Sequence, residues 1–230
     1  MRPSQEWFGL KSARTVHETR YSEIGGRDMT YTTVLSSRVG DLQGMLGEWN
    51  DWTKDHVLST SSALGVALSQ TMVGGERAGE VNASFQWDSI DQAMTGIATL
   101  TESAQLAEMY ASYGVAPVRR SMAKVLAQRG SREGQCMSLL MCSGNSIDEA
   151  TAASNADLLW DGLSPAANGY AINQVIAGGE FTGMYALTTW TDSLDSFMEA
   201  ATATNSSAPV QQMMSNQNIR FVSRSLSRIL

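Results

Sequence analysis

Along Gly65–Val73 small and apolar residues alternate with a period of two, which predicts a strand. Two further stretches, 30–37 and 80–87, are rich in β-branched and aromatic residues and predict strands as well. Between the first and second of these, Leu42, Met45, Leu46, Trp49, Trp52 and Val57 recur at roughly helical spacing. Gly40-Asp41 supplies the start of that helix, and the polar run at 59–62 is expected to end it as a loop. Gly74-Gly75 and Arg77-Ala78-Gly79 carry hairpin turn chemistry. After 80–87, Asp88 or Ser89 caps a helix bearing Ile90, Met94, Ile97 and Leu100. A second helical piece carries Leu106, Met109 and Tyr110, and Pro117 opens a last strand over 118–126. The element order is β-α-β-β-α-β, the split unit of ferredoxin-like folds.

The pattern then repeats. Gly65-Val-Ala-Leu-Ser-Gln-Thr-Met-Val-Gly-Gly75 returns as Gly169-Tyr-Ala-Ile-Asn-Gln-Val-Ile-Ala-Gly-Gly179, an offset of 104 (169 − 65). The same offset pairs Leu35 with Leu139, Gly40 with Gly144, Met94 with Met198 and Arg120-Ser121 with Arg224-Ser225. A register of this length marks a duplicated domain rather than a solenoid unit. The expected organisation is an extension at 1–28, a first repeat at 29–126, a linker at 127–134 and a second repeat at 135–230. A single unit leaves one sheet face bare, because both helices pack on the other. Neither strand face of Gly65–Val73 or Gly169–Ala177 is plainly polar. The two repeats are therefore expected to stack their bare faces, an α+β fold of tandem ferredoxin-like repeats closed into a barrel with helices outside.

Two strand-end stretches carry a family resemblance: Phe85-Gln86-Trp87-Asp88-Ser89-Ile90-Asp91 and Thr188-Thr189-Trp190-Thr191-Asp192-Ser193-Leu194-Asp195. With the element order and repeat length, residues 30–230 resemble the dimeric α/β-barrel superfamily in a fused, single-chain version. In the first stretch the tryptophan directly precedes the aspartate; in the second one residue intervenes. The resemblance implies a ligand place between sheet and helices. The superfamily's activities range from cofactor-independent monooxygenases and isomerases to haem enzymes.

Composition narrows the classes. With 230 residues the chain can bury a core without disulfide or metal. A net charge of −7 and lysines only at 11, 54 and 124 argue against nucleic acid as a partner. Cys136 and Cys142 fall on one predicted strand, roughly 20 Å apart, beyond disulfide reach. Free thiols, with no apolar run of membrane-spanning length, point to a soluble protein of the reducing cytoplasm. Two histidines, His17 and His56, and unpaired cysteines offer no metal cluster, and no cofactor is expected.

No catalytic signature emerges, so candidate site residues are positions rather than motifs. Gln70 and Gln174 lie mid-strand on the parity of the larger apolar residues. They are expected to bond to each other across the barrel seam, or else to contact a ligand. Arg120 and Arg224 are expected at the rim in ion pairs with Glu76 and Glu180; anion binding is the alternative. His56 reads as a helix-end residue acting on the dipole, with a ligand or base role as the alternative. The Asp88 and Asp192 stretches read as helix caps. Trp49 and Trp52 of the first repeat correspond to Ala153 and Ala156, so a pocket is sought first in the helix–sheet gap of the second repeat. Two functions remain in view. One is a non-enzymatic, self-assembling structural protein whose extension (Trp7-Phe8) anchors a homo-oligomer. The other is a binder or enzyme for a small apolar molecule, which requires an enclosed pocket of about 300 Å³ or more with a few convergent polar groups.

Overall fold

The fold is taken from a computed structural model that describes residues 30–230. The expected extension at 1–28 lies outside the described residues. Eight antiparallel strands close a barrel in the order β1-β3-β2-β8-β5-β7-β6-β4. The first repeat contributes β1 (Tyr31–Arg38), β2 (Gly65–Val73), β3 (Val81–Trp87) and β4 (Ala116–Gly130). The second contributes β5 (Cys136–Ser143), β6 (Gly169–Ala177), β7 (Tyr185–Thr191) and β8 (Arg220–Ile229). Each repeat is a four-stranded sheet of order 4-1-3-2, and the sheets join edge to edge. One seam runs β4 against β6, from Met122 opposite Ala177 to Gly130 opposite Gly169. The other is shorter, β2 against β8, from Ser69 opposite Ile229 to Val73 opposite Leu226.

Helices cover the outside of both sheets. In the first repeat α1 (Leu42–Glu48) and α2 (Lys54–Ser61) are joined without a break by a π-helical turn, Trp49–Thr53. The run 59–62 does not end the helix where its composition suggested. Ser59 and Thr60 hydroxyls donate to the His56 carbonyl and Ser61 to that of Val57, so their polarity is turned back onto the helix. Left-handed Ser62 then terminates it. The sheet is further covered by α3 (Ile90–Glu102) and α4 (Ala104–Ser112). The second repeat has α5 (Glu149–Leu163), α6 (Leu194–Ser206) and α7 (Ala208–Asn216). The caps of α3 and α6 are Ser89 and Ser193, not the aspartates before them. Asp192 instead accepts from the Gln135 amide at 3.1 Å and the Asn168 side chain at 3.0 Å, tying the ends of β5, β6 and β7 together.

Two expectations about register need correction. Strand β4 continues through Gly130, so the first half of the expected linker is strand paired with β6. The offset of 104 also fails at the first strand. Tyr31 faces Trp87 and Cys136 faces Thr191, so β1 corresponds to β5 at 105 (136 − 31) while β3 corresponds to β7 at 104. Leu35 is thus equivalent to Leu140, and Leu139 points the other way, into the barrel. Gly40 and Gly144 do correspond, each beside the loop that leads into the last strand. The extra residue is absorbed between Arg38 and Gly40.

The barrel axis is also the pseudo-twofold axis, since half a turn carries β1 onto β5. At one end the two hairpins converge. Their 3₁₀ turns, Gly75–Arg77 and Gly179–Phe181, start on glycines with φ +61°, a left-handed conformation that favours glycine. Arg77 and Phe181 are equivalent positions, and they stack, the guanidinium 4.4 Å from the ring centroid. Beneath them the lumen is divided. The second repeat lines it with Met141, Val175 and Ala186. The first lines it with a polar chain in which Ser36 donates to Asn82 at 2.7 Å and Asn82 to Thr71 at 3.1 Å. Glu80, 2% exposed, pairs with Arg119 and lies 3.8 Å from Arg38.

Truncating Glu80 removes a buried carboxylate and leaves the partly buried Arg119 without its partner. Glu80→Ala is expected to lower the unfolding free energy by about 2–4 kcal/mol, the range for breaking a buried pair discounted for the partial exposure of Arg119. Urea denaturation measures it; a loss under about 0.5 kcal/mol would show the pair to be dispensable.

Candidate functional site

Both repeats place an apolar layer between sheet and helices, but the layers are not alike. In the first repeat Phe85 and Trp87 project from β3 toward the helices, their rings stacked with centroids 5.9 Å apart. Trp87 is fully buried, and its indole N–H donates to the Thr33 hydroxyl at 2.9 Å. It fits because α3 has Gly96 opposite: a Cβ there would lie 2.5 Å from the ring. In the second repeat the equivalents of Phe85, Trp87 and Thr33 are Thr189, Thr191 and Ser138. The bulk is gone. Trp190 does not replace it, because one residue along a strand reverses the face a side chain takes. That single-residue difference is the departure visible between the two strand-end stretches.

A cavity of about 70 Å³ lies between the second sheet and α5–α7, with Thr189, in the place of Phe85, in its wall. Its walls include Thr189, Leu159, Leu163, Phe197, Met213 and Met214. The mouth is shared with a broader hollow of about 330 Å³ through Leu140, Ala201, Asn205, Phe221 and Arg224. The inner cavity falls short of the ~300 Å³ of an ordinary small-molecule pocket, and the hollow at its mouth is open to solvent. The location matches expectation, but the cause differs. Of the two alanines, Ala156 is buried and Ala153 half-buried, and neither is in the cavity wall; Thr189 of β7 is.

Four kinds of polar group border the cavity. Asn155 and Gln217 exchange side-chain amide hydrogen bonds of 2.8 and 3.1 Å, closing each other off. The Tyr185 hydroxyl donates to the Asn145 carbonyl at 3.0 Å. Tyr170, 3% exposed, has a buried hydroxyl with no hydrogen-bond partner. Burial raises its pKa, so it stays a donor. Burial also pushes the Cys142 thiol up to about 12, with the positive charge of Arg224 opposing the shift. These two groups are held protonated and neither serves as a base near neutrality.

The sequence-selected positions divide sharply around this cavity. Arg224 lies at the mouth, its guanidinium 5.8 Å from the Phe197 ring centroid and 2.8 Å from the Met198 sulfur. Arg120, its counterpart, is exposed on β4. Neither forms the expected ion pair with Glu76 or Glu180; among the described residues no carboxylate comes within 4.0 Å of either. The acid that hairpin geometry delivers to the barrel is Glu80, not Glu76. Gln70 and Gln174 do not meet. Strands β2 and β6 stand on opposite sides of the barrel, so each glutamine lies at a different seam. Gln70 accepts from Arg228 at 3.1 Å, and Gln174 faces Lys124 across β4–β6. His56 is not at a helix end, because the helix runs on to Ser61; its Nε2 lies 3.1 Å from the Ser103 hydroxyl and its ring meets Trp52 edge-on. Tyr170, Cys142 and the β7 threonines were not singled out in the sequence. The signal available was the contrast of Phe85 and Trp87 with Thr189 and Thr191 at equal places.

No family model and no curated protein sequence matches the chain. Solved structures do match in shape. A candidate chlorite dismutase, TA0507, superposes with TM-score 0.55 at 7% identity, covering 88% of this chain and 95% of that one. A haem-binding protein of Thermus thermophilus gives 0.51 at 10% identity, covering 87% and 91%. A mutant chlorite dismutase of Candidatus Nitrospira defluvii, in complex with cyanide, gives 0.50 at 9%, covering 87% and 90%. The fold is that of the dimeric α/β-barrel superfamily. Identities this low carry the fold and not the chemistry. Haem in particular does not suit this cavity: no histidine lines it, its thiol and phenol are held protonated, and its volume is far below that of a porphyrin. Among the described residues no cluster of three or more His, Cys, Asp or Glu could hold a metal ion, and no helix is long and apolar enough to cross a membrane.

The raised Cys142 pKa sets a pH dependence. The thiol of the unfolded chain ionises near 9 and that of the folded chain near 12, so this group's contribution is intact below pH 9 and is lost as pH rises toward 12. Cys142→Ala is expected to flatten the decline in urea midpoint between pH 8.5 and 10.5; an equal decline in both proteins would contradict it.

Proposed function

We propose that the protein binds a small, mostly apolar organic molecule in the sheet–helix cavity of its second repeat. The observation that carries this reading is the inequality of the two repeats. A void costs about 24 cal/mol per Å³, so 70 Å³ costs roughly 2 kcal/mol. In its first repeat the same chain puts the Phe85 ring where the second has Thr189 in the cavity wall. Leaving the cavity open is a sizeable sacrifice against a total stability of about 5–15 kcal/mol. An apolar enclosure with an unpaired hydroxyl and a cation at its mouth is the usual make-up of a ligand pocket. The neutral Tyr170 and Cys142 supply hydrogen-bond donors, which favours binding over proton abstraction. Two free cysteines are in keeping with a reducing cytoplasm.

The test uses indole as a probe and [methyl-¹³C]methionine as reporter. Indole is expected to shift the Met213 and Met214 signals and leave Met45 and Met109, in the solid core of the first repeat, unmoved. Thr189→Phe installs the first repeat's residue and is expected to abolish the shifts while keeping the fold. Shifts absent in the native protein, or undiminished by Thr189→Phe, would overturn the assignment.

Self-assembly remains a second reading because both repeats expose apolar residues at equal places. Met94 and Val118 of the first correspond to Met198 and Val222 of the second, each at least 37% exposed. If these faces join copies of the chain, Val118→Asp with Val222→Asp is expected to reduce the light-scattering mass to that of one chain. An unchanged mass in native and variant protein removes the idea.

A further inference from the structure

We infer that the molecule held in the second-repeat cavity is a small carboxylic acid, its apolar body inside and its carboxylate on Arg224. This rests on the cavity reading above and adds the charge and the polarity of the ligand. Arg224 is partly buried, and burial lowers its pKa. A guanidinium taken out of water normally acquires a carboxylate, because an uncompensated charge in a low-dielectric place is costly. This chain follows that rule elsewhere: the partly buried Arg119 holds Glu80, and Arg129 holds Asp157 at 2.6 Å. Arg77, also partly buried and without an ion pair, sits in the field of Glu80 and Glu180. Among the described residues Arg224 has a phenyl ring, a thioether and the Cys142 thiol beside it, all neutral, and no carboxylate within 4.0 Å.

Nothing in the barrel requires a cation at that position. The equivalent Arg120 stands exposed, and Arg224 borders the cavity and the hollow at its mouth. The missing anion therefore has room to come from outside. One planar guanidinium suits one carboxylate, which it can grip through two parallel N–H···O bonds. A phosphate dianion would call for more positive charge than the cavity mouth offers, and the net charge of −7 opposes polyanions. The second polar requirement is Tyr170, whose buried hydroxyl lacks a partner in the cavity wall. A ligand oxygen or nitrogen lone pair meets it, while the stretch between is apolar.

Benzoate and benzamide, alike in shape and different in charge, separate the two inferences. Both are followed by the methionine methyl signals of Met213 and Met214. Benzoate is expected to bind at least tenfold more tightly than benzamide, and the ratio is expected to shrink with added salt. Arg224→Gln should bring benzoate to the benzamide level and leave benzamide within twofold; Arg120→Gln should alter neither. Melting curves of both variants establish that they are folded, and Arg224→Lys, keeping the charge without the planar fork, should retain part of the preference. Equal binding of the two probes, or a preference that survives Arg224→Gln, overturns the carboxylate while leaving the cavity reading standing. If neither probe moves the cavity methionines, both inferences fall.

Discussion

A ferredoxin-like sheet has helices on one face only, and its other face and both edges must be satisfied by something. Here each sheet is the remedy for the other. The edge strands β2 and β4 bond to β8 and β6, so every strand has two neighbours and no row of amides is left open. Closing the edges also turns the bare faces inward, where Met141, Val175 and Ala186 of one repeat face the Ser36–Asn82–Thr71 chain of the other. Neither half is a complete fold on those terms. The barrel is the unit of stability.

Fusion of the two halves changes what can sit on the symmetry axis. In an assembly of identical chains, a residue at the axis must face its own copy, and two arginines there would repel. In this chain equivalent positions are free to differ, and Arg77 lies on Phe181. The same freedom divides the two outer layers. The first repeat is packed solid around Trp87, with Gly96 making room for it. The second has threonines in those places and a cavity. Since barrel closure depends on strands rather than on filling the outer layer, one repeat can carry packing while the other tolerates a void.

The asymmetry also explains why equal residues do unequal work. Arg120 and Arg224 share a place in the repeat, yet one is solvated and the other overhangs a cavity between hydrophobic neighbours. Gln70 and Gln174 share a place too, and barrel geometry keeps them apart at opposite seams. Resemblance between repeats is therefore a guide to backbone position. Environment decides function.

Periodicity determined the element order, because alternation of two and spacing near 3.6 are local properties that survive in any context; matching residues at an offset of 104 marked the duplication, and the unpartnered sheet faces implied the barrel. Turn glycines at 74–75 and 178–179 and the strands beside them were legible for the same reason. The region of the cavity was legible as well, through loss of bulk between equivalent positions, although Thr189 rather than the helix alanines stands in its wall. Other features needed the folded chain. The shift of β1 against β5 is set by strand pairing, which has no mark in the spacing of apolar residues. That Glu80 rather than Glu76 is buried depends on where a hairpin turns over the barrel mouth. That no described carboxylate lies within 4.0 Å of Arg224 depends on which side chains of α6 and β5 come to stand around it. These are facts of distance across the chain, and only tertiary structure brings such residues together.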